Sequence, residues 1–199
     1  MRGSPATINL CRHCTTAWNL QGRLQGTIDL PLADVGIREA KAHVSIVRDI
    51  GVRRIVCSTA LRAYQTAMVY AESLQLPVHR TPQLRELDHG EWEGRKAEEL
   101  LLDQNSGFAQ WLSDPGSIAI PGGSESVQTA QQRASEGVRN AASTFRDEIV
   151  LIIAHKHINA LLMCALFKKP LTSFESYIVE DTLPRLLVAE AIESLCREQ

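Results

Sequence analysis

The chain has 199 residues and a mass of 22.0 kDa, the length of one domain or of one domain carrying a small insertion. A composition that is 44% hydrophobic and 22% charged, with 12 Gly and 8 Pro, excludes disorder, collagen and low complexity. Its 21 basic and 23 acidic residues leave a formal net charge of −2, which argues against a broad nucleic-acid-binding surface but permits a small basic pocket.

Ile8–Cys11 is short and apolar and predicts a first strand. Asp34 to Ile50 is an amphipathic helix, with Ile37, Ala40, Val44 and Val47 on one face and Gly51 placed to end it. Arg54–Cys57 is a short buried strand. Thr59 to Ser73 is helical, with Ser58 or Thr59 as N-cap. Leu76 to Gly94 is mostly loop, with a short extended piece at Val78. Ala97–Leu102 and Phe108–Leu112 are short helices, and Pro115 and Pro121-Gly122-Gly123 mark loops. Ser124 caps a long helix running to Arg146. Ile149–Ala154 (IVLIIA) is the strongest strand, apolar at every position as in a strand covered on both faces. Ile158–Phe167 is a helix, and Tyr177–Val179 and Arg185–Ala189 are two closing strands around a turn at Glu180–Pro184. Strands alternating with helices predict an α/β three-layer sandwich: a mostly parallel central sheet flanked by helices, one domain over residues 1–199 with a cap insertion at about 87–121.

In such sheets ligands sit beyond the carboxyl ends of the strands. Those ends carry Arg12-His13, then Ser58 to Arg62, then Glu86, then His155-Lys156-His157. Each alone has an ordinary explanation: a hydrogen-bonded loop histidine, a surface arginine, a satisfied strand-end histidine. Their convergence on one edge points to an anion pocket. Arginine forks match phosphate oxygens, and helix N-termini add N–H donors. A neutral imidazole can attack phosphorus while a cationic one holds the equatorial oxygens.

These residues carry a resemblance. Leu10-Cys11-Arg12-His13-Cys14-Thr15-Thr16-Ala17-Trp18-Asn19, followed by Gly22-Arg23-Leu24-Gln25-Gly26, resembles the signature of the histidine phosphatase superfamily, the phosphoglycerate-mutase-like proteins. Pro31-Leu32 to Gly36, Ser58 to Ala67, Leu84-Arg85-Glu86 with Gly90-Glu91-Trp92-Glu93-Gly94, Pro121 to Ser126, and Ile149–His155 resemble further blocks of that family in the same order. The resemblance runs over residues 7 to 190. It implies that His13 is the nucleophile and becomes phosphohistidine, that Arg12, Arg62 and His155 bind the phosphoryl group, and that Glu86 is the general acid and then the base. Asn19, Thr16, Gln25 and Lys156 would contact the substrate. No cofactor and no metal is implied, because two arginines and an imidazolium supply the positive charge. The implied activity is a phosphomonoesterase acting on a small phosphorylated metabolite, with mutase-type phosphoryl transfer and a weakly active phospholigand-binding protein as alternatives. The first motif is mutase-like, but Gly22 to Gly26 and the short Gly94–Pro121 segment resemble the phosphatase branch.

Three positions depart from the family's usual pattern: Cys14 for Gly, Lys156 where many members have Gly, and Ala160 where Arg is frequent. Cys14 would be costly if its backbone needed a positive φ. Cys11-x-x-Cys14 also permits a redox reading, and Cys11, Cys14, His155 and His157 permit a zinc reading. Trp92, Phe108, Trp111, Lys156 and His157 are candidates for specificity. The five scattered cysteines and the lack of an apolar leader or an 18-residue apolar run predict a cytoplasmic protein with no membrane contact. A homodimer is a further expectation.

Overall fold

The computed structural model describes residues 3–187 and Ile192. Five strands form one sheet: β1 (Thr7–Arg12), β2 (Arg54–Ser58), β3 (Val78–Thr81), β4 (Ile149–Ala154) and β5 (Arg185–Leu186), in the order β3-β2-β4-β1-β5. All neighbours are parallel except β5, which pairs antiparallel with Asn9 and Leu10 of β1. The helices are α1 (Ala17–Leu20), α2 (Asp34–Ile50), α3 (Leu61–Leu74), α4 (Ala97–Leu102), α5 (Phe108–Ser113), α6 (Val127–Thr144) and α7 (Lys156–Leu166).

The alternation of β4 sorts the two cores. Leu151 and Ile153 pack with Ala40 and Val47 of α2 and with Ala63, Ala67 and Tyr70 of α3. Val150, Ile152 and Ala154 face the other way, with Ala134 and Val138 of α6 and Ile158 and Leu161 of α7. Side chains of period two on a central strand therefore hold both helical layers. Trp92, Phe108 and Trp111 are buried in the second core and pack on one another at centroid distances of 5.2–5.8 Å. These aromatics are interior packing and present nothing to a ligand.

The structure moves several predicted boundaries, each for a definable reason. Helix α6 is capped by Ser126, whose hydroxyl accepts from the Thr129 N–H. Ser124 is instead spent on Asp88, to which it donates through both N–H and O–H. Helix α3 begins after Ala60, and its Leu61 N–H is taken by Asp29. Helix α7 starts two residues early, at Lys156, because a carboxylate from another segment takes its first amides (below). The predicted strand at Tyr177–Val179 is absent: Tyr177 ends a 3₁₀ segment begun at Leu171, and 178–184 is irregular. Residues 188 and 189 of the last predicted strand lie outside the described residues.

Gly36 lets α2 approach the loop after β1, since a Cβ there would lie 2.0 Å from the Thr15 carbonyl oxygen.

Candidate active site

Parallel pairing sets the carboxyl ends of β1, β4 and β2 side by side. Arg12 is in register with Ala154, and the His13 N–H continues the ladder onto the Ala154 carbonyl at 3.0 Å. His13, His155 and Ser58 thus follow one another across the sheet edge. The His13 and His155 rings lie 5.2 Å apart, and His155 Nε2 is 2.8 Å from Ser58 Oγ.

The tautomer of His13 is fixed from both sides. Its Nδ1 lies 2.8 Å from the Cys14 carbonyl, an acceptor only, so Nδ1 carries the proton. Its Nε2 accepts from Arg62 Nε at 3.2 Å, so Nε2 bears the lone pair. Burial, then the Arg62 and Arg12 charges, hold the imidazole pKa well below its usual value, against the opposing pull of the Cys14 carbonyl. The result is a neutral, buried imidazole with its lone-pair nitrogen turned to an arginine.

Arg62 is anchored by the carbonyls of Ile28 and Gly26, both at 2.9 Å. Glu86 follows the turn after β3 and is nearly buried. Its Oε1 accepts from the Leu87 and Ile158 N–H groups at 2.9 and 3.1 Å, and its Oε2 from His157 N–H at 3.3 Å. Two of those donors are first-turn amides of α7, so the helix N-terminus fixes where the carboxyl group sits. Arg133 of α6 fixes the segment below, donating to the carbonyls of Gln83, Arg85 and Glu86 while paired with Glu125.

Arg12, His13, Asn19, Gln25, Arg62, Glu86 and Lys156 all line one narrow cavity of about 40 Å³, with Arg23, His89 and His157 in its wall. Asn19 gives its amide oxygen to the N–H and O–H of Thr16, which leaves Nδ2 as its donor. Two predicted contacts are placed differently. Thr16 is fully buried and caps α1, so it acts on the cavity only through Asn19. His155 is fully buried behind His13. Burial, then Arg62, His13 and Arg12, press its pKa well below the usual value. The expected imidazolium is therefore neutral in the free protein, and the cavity's cations are Arg12, Arg62, Arg23 and Lys156. The wall also holds a buried pair, His89 Nε2 and His157 Nδ1 at 2.7 Å. Burial lowers both, His89 to about 4.

The cysteine readings fail on direction. Cys11 and Cys14 point into the α2/α3 layer, away from the cavity, and burial raises both thiols, Cys14 to about 11. Reactive thiols are shifted the other way. Among the described residues no group of His, Cys, Asp or Glu is arranged to hold a metal ion. Cys14 also escapes the backbone penalty, since it is not among the described residues with positive φ.

Sequence reasoning missed three residues. Glu180, expected in a turn, receives Arg12 Nη1 on its carboxylate at 2.9 Å and Lys156 Nζ at 2.9 Å. Glu39 of α2 accepts from the Thr15 N–H and O–H on one oxygen and from the Thr182 hydroxyl on the other. Arg133 was the third. No local sequence signal marks any of them, since each acts on partners far along the chain.

A buried neutral imidazole among arginines, with a carboxylate across the cavity, is an arrangement that can bind an anionic phosphoryl group. The model of the histidine phosphatase superfamily (branch 1) matches residues 8–188, and the chain belongs to that family. Among curated relatives, phosphoserine phosphatase 1 of Hydrogenobacter thermophilus is 29% identical over 84% of this chain and 79% of its own. An adenosylcobalamin/α-ribazole phosphatase of Salmonella typhimurium is 29% identical over 86% of this chain and 85% of its own. A mycobacterial glucosyl-3-phosphoglycerate phosphatase, solved with VO3, superposes with a TM-score of 0.80 at 26% identity, covering 92% of this chain and 98% of that one.

Proposed function

We propose that the chain is a phosphomonoesterase that hydrolyses a small phosphorylated metabolite through a phosphohistidine at His13. The observation that carries this reading is the His13 tautomer, with Nδ1–H on the Cys14 carbonyl and the Nε2 lone pair facing Arg62. The substrate's phosphoryl oxygens replace His13 as the acceptor for Arg62 Nε and engage Arg12, the Asn19 amide and Gln25. Nε2 attacks phosphorus in line, the P–O bond to the leaving alcohol breaks, and Glu86 gives that oxygen a proton. Water then attacks the phosphohistidine, its proton passes to Glu86, the N–P bond breaks, and orthophosphate leaves. His155, with Nδ1 buried and without a partner among the described residues, is placed to take up a proton and hold an equatorial oxygen once a dianion is bound.

The guanidinium groups and Lys156 supply the charge that a metal supplies elsewhere, so turnover needs no added metal. The whole chain is one catalytic unit, with residues 87–121 as its small cap. Among the described residues no helix is long and apolar enough to cross a membrane, and four buried free thiols suit the reducing cytoplasm.

The test is hydrolysis of p-nitrophenyl phosphate in the presence of a chelator. His13→Ala should abolish it, and Glu86→Gln should slow poor leaving groups most. Wild-type rates in His13→Ala would sink the mechanism. A panel of sugar phosphates, nucleotides and phosphoglycerates then gives the substrate class, and phosphoryl transfer between substrate positions without phosphate release would turn the reading to a mutase.

A further inference from the structure

Arg12 is a fork with two usable edges, and the structure occupies only one of them. Its Nη1 donates twice to Glu180, to the carboxylate Oε2 at 2.9 Å and to the main-chain carbonyl at 3.1 Å. Its Nε is buried and has no partner among the described residues. The Nε–Nη2 edge, which can take two phosphate oxygens side by side, is thus the one left over. The second carboxylate oxygen of Glu180 holds Lys156 Nζ at 2.9 Å. One side chain therefore sets the direction of two of the cavity's cations.

Glu180 is itself held in place although its segment has no regular structure. Two residues on, the buried Thr182 donates to Glu39 at 2.5 Å, and the other oxygen of Glu39 holds the N–H and O–H of Thr15. Asp181 accepts from the Leu183 N–H and pairs with Arg185 of β5. The loop carrying His13 and the segment carrying Glu180 are thus tied to the same carboxylate on α2.

We propose that Glu180 is a positioning residue for phosphoryl binding: it grips Nη1 of Arg12 and Nζ of Lys156 so that Arg12 presents its Nε–Nη2 edge to the substrate. This rests on the reading of Arg12 as a phosphoryl ligand. Glu180 also has an opposite effect, because its negative charge repels an anion. Its side chain is 69% exposed, so water screens that repulsion to roughly 3-fold in affinity. A misdirected ligand to the reacting group costs more, about 10- to 100-fold. Orientation outweighs repulsion, and removing Glu180 weakens binding although it makes the site more positive.

The experiment is orthophosphate binding by calorimetry, together with inhibition of p-nitrophenyl phosphate hydrolysis, on wild type, Arg12→Ala, Glu180→Ala and Glu180→Gln. Arg12→Ala should lose orthophosphate; if it binds as wild type does, the reading of Arg12 fails before Glu180 is at issue. Glu180→Ala should weaken orthophosphate binding about 10-fold and raise KM more than it lowers kcat. Glu180→Gln keeps an acceptor oxygen for Nη1 and should recover to within about 3-fold of wild type. Melting temperatures should stay level, since the side chain is mostly exposed. Tighter or unchanged binding in Glu180→Ala, with Arg12→Ala impaired, overturns the proposal and makes Glu180 a competitor of the substrate. Equal losses in Glu180→Ala and Glu180→Gln overturn it too, because orientation by an acceptor oxygen would then not be the cause.

Discussion

Lowering the pH from 7.0 to 5.5 should cost this protein a large share of its stability, and the cause is the set of histidines in and behind the cavity. His13, His89, His155 and His157 are all at most 3% exposed. Burial holds all four below the usual histidine value, His89 at about 4 and the others well below. In the unfolded chain each titrates near 6.5. The folded pKa is the lower one, so the unfolded state binds more protons as the pH falls. Stability is complete above about pH 6.5 and drains away below it. For a histidine that stays neutral when folded, the unfolded state gains about 0.2 kcal/mol at pH 7.0 and about 1.4 at pH 5.5. The increment is about 1.3 kcal/mol each, or roughly 4–5 kcal/mol for the four, against a total of about 5–15 kcal/mol for a typical domain. The depressed carboxylates, Glu39 and Asp88 among them, release their share only nearer pH 4, outside this window. Urea melts in phosphate-free buffer read the effect. With a slope of about 2–3 kcal/mol per molar, the midpoint should fall by about 2 M. A His89→Leu/His157→Leu double variant should lose about half as much. A midpoint that moves by less than about 0.3 M would show that these histidines take up protons without unfolding and would refute the reasoning.

Other perturbations separate positioning from packing. Arg133→Met removes the three carbonyl contacts that fix the Glu86 segment, so kcat/KM should drop about 10-fold, most steeply for poor leaving groups; equal losses across leaving groups would argue against it. Gly36→Ala drives a methyl group into the Thr15 carbonyl and should cost on the order of 1–3 kcal/mol together with activity, read by melting and turnover. Cys14→Gly empties a buried thiol site facing α3 and should cost about 1–2 kcal/mol with turnover within about 2-fold; a collapse in turnover would give Cys14 a role in the chemistry.

The sheet was legible because IVLIIA and the helices around it carry their periodicity locally, and the cavity because Arg12-His13, Arg62, Glu86 and His155 each follow a strand. What escaped was long-range. The start of α7 depends on Glu86, seventy residues away, taking its first amides. Tyr177–Val179 looks extended in sequence, but the polar groups just after it are committed to Arg12, Lys156 and Glu39 rather than to a ladder. Thr16 looked like a ligand because it lies in the motif, yet its hydroxyl is needed to start a four-residue helix. The neutrality of His155 in the free protein comes from its burial, which has no local sequence signature.

On the proposed mechanism the two cavity histidines need different charges. A nucleophilic imidazole must be neutral, whereas a group that steadies a transferring phosphoryl must be cationic, and the two rings lie 5.2 Å apart. In the free protein the guanidinium charges of Arg62 and Arg12 keep both neutral, adding to the desolvation that already disfavours their cationic forms. A phosphomonoester dianion among the same arginines reverses the local field. It would then favour a proton on His155, while His13 stays committed by its Nδ1–H to the Cys14 carbonyl. On that mechanism the same two arginines would hold the nucleophile ready before the substrate arrives and allow its neighbour to become charged afterwards. The acid sensitivity argued above follows from that arrangement, because a site that must keep several buried histidines unprotonated gives up stability wherever the unfolded chain can protonate them.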